Sequence, residues 1–302
     1  MTYIFNLTQA FGRVQMTGST RLEFLHRMST GDVLHLKQGE GQPTVLTTPI
    51  GRMVDYTPAL ALDDAVILLT GAGHAGSVVQ WLRKYVLYND EVKVHDITVA
   101  TQMVGVFGAG ADEWLSAIEP QAQAHLHAAP PYAHVQQGSQ MVVKAPPLQG
   151  AGYYLIGVGV LSKLADRIAG QLQPFAAYEA LRIAQGMPAF PNEIREDYIP
   201  LEAGLWNAVS FSKGCYIGQE IIARMESRNQ MAKKLVRLDL GVANDASTLE
   251  GVVVALTSRS TDQALAYVRS AAANVDQIVR LQDGSCARVA EVIDLRSAPP
   301  TH

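Results

Sequence analysis

The residues best placed to do chemistry are a cysteine and its neighbours, in the run Ser212-Lys213-Gly214-Cys215-Tyr216-Ile217-Gly218-Gln219-Glu220. A thiol acts as nucleophile or metal ligand in its thiolate form, and a nearby ammonium or a helix N-terminus favours that form. Both are implied here. Lys213 stands two positions before Cys215, and Ile221, Ile222 and Met225 follow at helical spacing, with Glu220 and Arg224 as an i,i+4 ion pair. Gly214 and Gly218 allow tight backbone on either side of the thiol. Asn229 is a left-handed stop for the helix. The rival reading is a buried, inert cysteine, since free Cys is often core. Cys286, in Asp283-Gly284-Ser285-Cys286 ahead of a strand, has no such setting and reads as structural.

Lys213-Gly214-Cys215-Tyr216-x-Gly218-Gln219-Glu220, with Arg224 and Arg228 after it, resembles the signature of the YgfZ-type folate-binding proteins. These are relatives of the glycine-cleavage T-protein that help maintain iron–sulfur enzymes. Further stretches are similar to the same family: Val14-Gln15-Met16-Thr17-Gly18 with Phe24-Leu25, Tyr178-Glu179-Ala180-Leu181-Arg182-Ile183 with Gly186-Met187-Pro188, and Leu265-Ala266-Tyr267-Val268. The resemblance implies a ring of three subdomains around a pocket for tetrahydrofolate or another folate derivative. It implies Cys215, Lys213 and Gln219 as the reactive group, with Cys215 a redox-active nucleophile or a transient iron–sulfur ligand. Folate contacts are implied at Asp55, Thr70, Gly71, Glu220, Arg224 and Arg228, and iron–sulfur client proteins as partners. Two alternatives stand beside this function: a folate-dependent aminomethyl or one-carbon transferase like the T-protein, and a non-catalytic scaffold that binds clients.

Gly71-Ala72-Gly73-His74-Ala75-Gly76 is formally the G-x-G-x-x-G of a dinucleotide site, after a strand and before a helix, with Asp96 further on. The strands ahead of it read as an antiparallel meander, which is the wrong context. By resemblance, Thr70-Gly71-Ala72-Gly73 is instead the T-protein turn that helps line the folate pocket. Asp55, in Gly51-Arg52-Met53-Val54-Asp55, resembles the T-protein aspartate that touches the folate, or is a solvated strand-edge carboxylate; Tyr56 departs from that pattern's second aspartate. Ala184 departs more seriously, because relatives carry a glutamate there that pairs with the pterin. A pocket built for paired hydrogen bonds loses heavily without the partner. Gln185 and Glu193 are the candidates to replace it.

Arg224, Arg228, Lys233, Lys234 and Arg237 form a basic cluster with Glu226 inside it. It reads as a solvated face, or as a patch for a polyanion: a folate polyglutamyl tail by resemblance, or tRNA phosphates. A net charge of −4 argues against a general nucleic-acid binder. His125-x-His127 reads as a solvated loop, no metal site is expected, and Trp81, Trp114 and Trp206 read as core anchors.

The elements that must position these groups follow from periodicity. The chain has 302 residues, 48% of them hydrophobic and 17% charged, which describes an ordinary globular protein of two or three subdomains. The longest apolar run, 65–70, is strand-sized, nothing at the N-terminus reads as a secretory signal, and two cysteines without a CxxC fit a reducing cytoplasm. Strands are predicted at 11–17, 44–48, 53–62, 65–70 and 92–99, with a helix capped by Ser19 and another through Val78–Tyr85. The order then repeats: strand 102–107, helix 112–118, strands 140–144 and 153–158, helix 161–172. The segment 120–150 reads partly as loop. A helix at 178–185 leads through Pro188, Pro191 and Pro200 to the cysteine motif, and β-like runs with short turns occupy the rest. The expected fold is α+β and GcvT-like. Two related lobes with antiparallel sheets, about 1–100 and 101–228, are followed by a small β-barrel domain at 229–302.

Overall fold

The computed structural model describes residues 1–228, 231–244 and 247–296. The helix stop expected at Asn229 lies outside them. Every strand pairing within the three large sheets is antiparallel.

The first stretch of chain runs β1 (Tyr3–Asn6), β2 (Phe11–Thr17), α1 (Arg21–Met28), β3 (Gly41–Gln42), β4 (Val45–Thr47), β5 (Met53–Tyr56), β6 (Ala59–Ala61), β7 (Ala65–Gly71), α2 (Ala75–Arg83) and β8 (Lys93–Asp96). Five of these strands form a sheet in the order β3-β6-β7-β2-β8, and β4 pairs with β5 as a separate hairpin. β7 is an unbroken buried run because both its faces are covered. Val66 and Leu68 pack with Phe24 and Leu25 of α1 and Val78 and Leu82 of α2. Ile67 and Leu69 alternate to the other face and meet the second sheet.

That second sheet has the order β1-β9-β12-β11-β10, with β9 (Gln102–Gly108), β10 (His134–Gln137), β11 (Gln140–Lys144) and β12 (Ala151–Gly157). Helices α3 (Ala111–Ser116), α4 (Pro120–Leu126), α5 (Val160–Lys163) and α6 (Ala165–Ile168) accompany it. Val104, Val106, Tyr153 and Leu155 face these helices. Met103, Phe107, Tyr154 and Ile156 face the first sheet. Two sheets therefore sandwich one core, with helices outside. The N-terminal strand β1 joins the second sheet, Tyr3 opposite Phe107, so the chain enters in one sheet before building the other. Arg13 holds the crossing point. It is fully buried, and its guanidinium donates to the carbonyls of Thr8, Thr98 and Thr101 and to Thr101 Oγ1.

Helix α7 (Phe175–Ala184) and an irregular connection lead to α8 (Gln219–Arg228). The last sheet follows: β13 (Lys233–Leu240), β14 (Val253–Arg259), β15 (Gln263–Arg269), β16 (Ile278–Arg280) and β17 (Cys286–Val292), in the order β14-β15-β13-β17-β16. It curls into a half-barrel. The chain ahead of β14 reaches the far edge, where the Leu249 N–H donates to Ile278 O (3.0 Å) and the Arg280 N–H to Leu249 O (3.0 Å).

Three expectations need correction. Ser19 does not cap α1: the N-cap is Thr20 with no side-chain bond, and Ser19 Oγ bonds Glu91 instead. The strand expected over 53–62 breaks at Thr57-Pro58, where the Thr57 N–H turns to Thr44 O and Pro58 has no N–H to give. The helix expected over 161–172 is two four-residue pieces. The segment 120–150 is partly loop, as expected, around α4, β10 and β11; Pro120 opens α4 at the position where a missing N–H costs nothing.

Candidate functional site

A cavity of ≈ 240 Å³ lies where the two sheets, α7 and the connection after it meet. Its most chemically loaded wall is built on the ends of β5 and β7. Asp55 lies on β5 and is 1% exposed. Its Oδ2 accepts the Gly71 N–H (2.9 Å) and is 3.0 Å from His74 Nδ1. Its Oδ1 has no partner, nor has the neighbouring Thr70 Oγ1. Burial raises the Asp55 pKa, and the contacts from His74 and the N–H groups of Gly71 and Tyr56 only partly oppose that. The alternative of a solvated strand-edge carboxylate is therefore wrong.

Gly71 is required by close approach rather than by a dinucleotide. A Cβ there would lie 2.4 Å from Phe190 Cβ, and Phe190 in turn stacks on the His74 ring at 4.0 Å and 9°. β7 pairs antiparallel with both its neighbours, which removes the parallel unit a dinucleotide fingerprint needs. Aromatic side chains make much of the rest of the cavity, alongside aliphatic residues such as Leu69 and Met187 and the charged Glu179 and Arg182. Phe11 packs at 5.8 Å from Tyr154 and 6.4 Å from Tyr178, and the Tyr56 and Tyr132 hydroxyls are 3.0 Å apart. Burial pushes the Tyr56 phenol up to about 12, so these hydroxyls stay neutral. The arrangement suits a flat ligand that offers a hydrogen-bond donor to Asp55.

Neither expected replacement for the glutamate missing at Ala184 reaches the cavity wall. Gln185 is exposed. Glu193 is fully buried behind the wall, where it takes bonds from Ser258 Oγ (2.6 Å), Arg182 (3.1 Å) and the Ala189 N–H (3.0 Å). Glu179 does line the cavity, as a bidentate partner of Arg182 at 2.8 and 2.6 Å. Arg182 also donates to Ser258 on β14 and to Met187 O, so all its donors are engaged and the half-barrel is tied to the cavity wall.

The cysteine motif lies elsewhere on the first lobe. Lys213 is 8% exposed, and its ammonium donates to three carbonyls: His26 (2.6 Å), Ser29 (2.7 Å) and Gly31 (2.6 Å). This is a cap on the C-terminal end of α1, where free carbonyls and the helix dipole both favour a cation. The side chain also lies over the Tyr216 ring at 5.0 Å. All three ammonium protons are spent on these carbonyls, so none is left to bond the thiol whose thiolate Lys213 was expected to favour. Burial lowers the Lys213 pKa to about 8, with Asp32 opposing. The loop is pinned further along. Thr47 Oγ1 donates to Ile217 O (2.6 Å), the Ile217 N–H to Arg27 O (3.2 Å), and Gly218, at φ +84°, passes so close to the 48–51 turn that a Cβ would sit 2.7 Å from Thr48 O.

Cys215 is exposed on this pinned loop, whereas Cys286 is buried. α8 begins at Gln219, and the Glu220–Arg224 pair forms at 2.6 Å. Ile222 anchors the helix against Ile199, Leu201, Val209 and Tyr216. Among the described residues, none of Lys213, Cys215, Gln219, Glu220, Arg224 and Arg228 lines the cavity, whereas Asp55, Thr70 and Gly71 do. The basic cluster is largely self-paired: Arg224 to Glu220, Arg237 to Glu291 (3.2 Å), and Lys233 to Asp197 O (3.1 Å) and the Tyr198 ring. Sequence reasoning missed His74 and Phe190. His74 stood inside the glycine-rich turn that the resemblance assigns, with Asp55, to the folate pocket, which was the available signal; Phe190 gave none.

Residues 4–146 match the GCVT N-terminal domain model. The Arabidopsis thaliana protein named "Putative transferase At1g60990, chloroplastic" is 30% identical over 96% of this chain and 71% of its own length. The chain belongs to the GcvT-like family, on its YgfZ-type branch. The tRNA-modifying protein YgfZ of Hamiltonella defensa is 26% identical over 76% of this chain and 68% of that protein. The glycine cleavage system aminomethyltransferase T of Bartonella henselae superposes over 98% of this chain and 86% of that chain with a TM-score of 0.79, at 18% identity. The α+β class and the curled C-terminal sheet are those of the GcvT-like fold.

Proposed function

We propose that this GcvT-like protein binds a reduced folate in its central cavity and assists assembly or repair of iron–sulfur clusters in client proteins, with Cys215 as the working thiol. The observation that carries the folate half is Asp55: a buried acid in an aromatic cavity with one oxygen unpartnered. An orphaned buried acceptor costs stability unless a ligand satisfies it, so the wall is poised for a donor such as a folate ring N–H. Asp55 and Thr70 would hold that donor, Phe11, Tyr154 and Phe190 would sandwich the flat rings, and Glu179 is the carboxylate within the wall closest in kind to the one lost at Ala184. When bound, a reduced folate supplies a nitrogen that carries one-carbon units.

The thiol half rests on exposure and rigidity. Cys215 is open to solvent on a loop fixed at Lys213, Ile217 and Gly218, which is the setting for a thiol that meets a partner. The cluster is cargo in this scheme: the Cys215 thiolate would ligate one of its irons transiently, and a client thiolate would displace it as the cluster passes on. A one-carbon transferase activity is the second reading, favoured by the retained Asp55. A client scaffold with no use for folate or thiol has no such observation behind it. The self-paired basic cluster gives little support to tRNA as a partner. A cytoplasmic location is part of the proposal; among the described residues no helix is long and apolar enough to cross a membrane.

Anaerobic calorimetric titration with 5-formyltetrahydrofolate tests the cavity. Saturable micromolar binding that is lost in Asp55→Ala is the expected result, and no binding at millimolar ligand removes folate from the function. Cys215→Ser should abolish restoration of iron–sulfur enzyme activity in cells lacking the protein. Full restoration by that variant removes the thiol.

A further inference from the structure

We propose that His74 is a positioning residue of the cavity: it fixes the Asp55 carboxylate so that one oxygen is satisfied by the protein and the other is kept for the ligand, and it couples that acid to the Phe190 segment of the wall. The ligand's identity rests on the proposed function; the positioning role does not.

The terminal torsion of an aspartate is broad and nearly two-fold, so a carboxylate with a single partner can exchange its oxygens or swing. Asp55 has two hydrogen-bond partners at 3.0 Å or less, and both converge on Oδ2, while the Tyr56 N–H next to it in β5 also favours the charged carboxyl. The Gly71 N–H arrives from the end of β7 at 2.9 Å, and His74 Nδ1 from the start of α2 at 3.0 Å. Two donors on one oxygen fix a direction as well as a point, and they leave Oδ1 as the free acceptor. The histidine is itself held. Its N–H donates to Gly71 O (3.1 Å), its carbonyl accepts from the Val78 N–H (3.0 Å), and its ring lies flat on Phe190. Phe190 packs so tightly on Gly71 that a movement of the 188–192 segment must be felt at both donors of Asp55.

Among the described residues, His74 is the titratable side chain hydrogen-bonded to Asp55. β5 supplies Asp55 and the neutral Tyr56 phenol, the turn into α2 supplies His74, and the connection supplies the uncharged Phe190. Arg182 and Glu179 line the same cavity but are paired with each other. An imidazole that only filled space would not need a nitrogen on the acid.

Three variants separate the donor from the ring. His74→Phe keeps the stack and loses the donor, His74→Asn keeps a donor near the Nδ1 position and loses the ring, and His74→Ala replaces the phenylalanine variant if that one does not fold. The first readout needs no ligand: a carbon-13 NMR titration of the Asp55 carboxyl. A bond to the charged form lowers a carboxyl pKa, so its midpoint should move up in His74→Phe and stay near wild type in His74→Asn. The second is the calorimetric Kd for 5-formyltetrahydrofolate, expected to weaken ~10-fold or more in His74→Phe and less than ~3-fold in His74→Asn. An unmoved Asp55 midpoint in His74→Phe overturns the proposal, as does a His74→Asn variant that behaves like His74→Phe with its melting temperature intact. If the wild type binds no folate, the proposed function fails while the NMR titration still decides the role of His74.

Discussion

Replacing Lys213 with methionine should unfold the protein more readily than any change at Cys215, although both belong to one motif. One ammonium donates to three main-chain carbonyls at 2.6, 2.7 and 2.6 Å, at the end of α1. Hydrogen bonds to charged groups contribute ~1.5–3 kcal/mol each, but they are not additive, and removing the cation also removes its own burial cost. Deleting one partner of a buried charged network typically costs ~3–5 kcal/mol. Relief of the desolvation that lowers this lysine to about 8 places the expected loss at the low end, about 3 kcal/mol. At ~2–4 °C per kcal/mol that is a fall in Tm of about 6–12 °C. Cys215→Ser, at an exposed position, should stay within ~0.5 kcal/mol of wild type. Urea unfolding followed by circular dichroism and by tryptophan fluorescence would measure both variants. A Lys213→Met protein with the wild-type midpoint would refute the capping argument, and one whose stability is intact but whose Cys215 reactivity collapses would restore the lysine as a thiol activator.

Asp55→Asn should stabilise the protein near neutral pH by about 0.5–2 kcal/mol, as neutralising a strained site often does. The sign follows from linkage: the folded pKa of Asp55 lies above its unfolded value of 3.8, so its contribution is fully present below pH 3.8 and is lost as pH rises through the folded value. The advantage of the asparagine should therefore vanish on acidification towards pH 3.8, and urea midpoints across pH 4–8 would show it. A thiol reagent such as iodoacetamide should modify Cys215 in the native protein and reach buried Cys286 only after unfolding, a difference that peptide mass spectrometry resolves.

Much of this was legible along the chain because it is local. The alternation of β2, the solid apolar run of β7, the α8 stripe with its Glu220–Arg224 pair and the turn-rich β texture after residue 233 each follow from spacing between near neighbours. The motif matches carried the family in the same way, as did Asp55, Thr70 and Gly71. Helix pieces as short as α5 and α6 were misread as one because four residues hold less than two turns of periodicity.

Tertiary structure alone decided which partners those residues have. Lys213 stands beside Cys215 in sequence, yet its charge is spent on carbonyls nearly two hundred positions earlier, because the loop packs on the end of α1. Glu193 could replace a lost pterin anchor on paper, but Arg182 and Ser258 claim it from behind the wall. Asp55 owes its raised pKa to burial and its orientation to a histidine that begins the next helix, neither of which is encoded within its own strand. The sequence determined the elements and the chemistry they carry, since backbone periodicity and side-chain type are properties of neighbours. Which acid is free, which cation is spent and which thiol is open depended on long-range packing, since burial and hydrogen-bond partners exist only once the sheets have closed on each other.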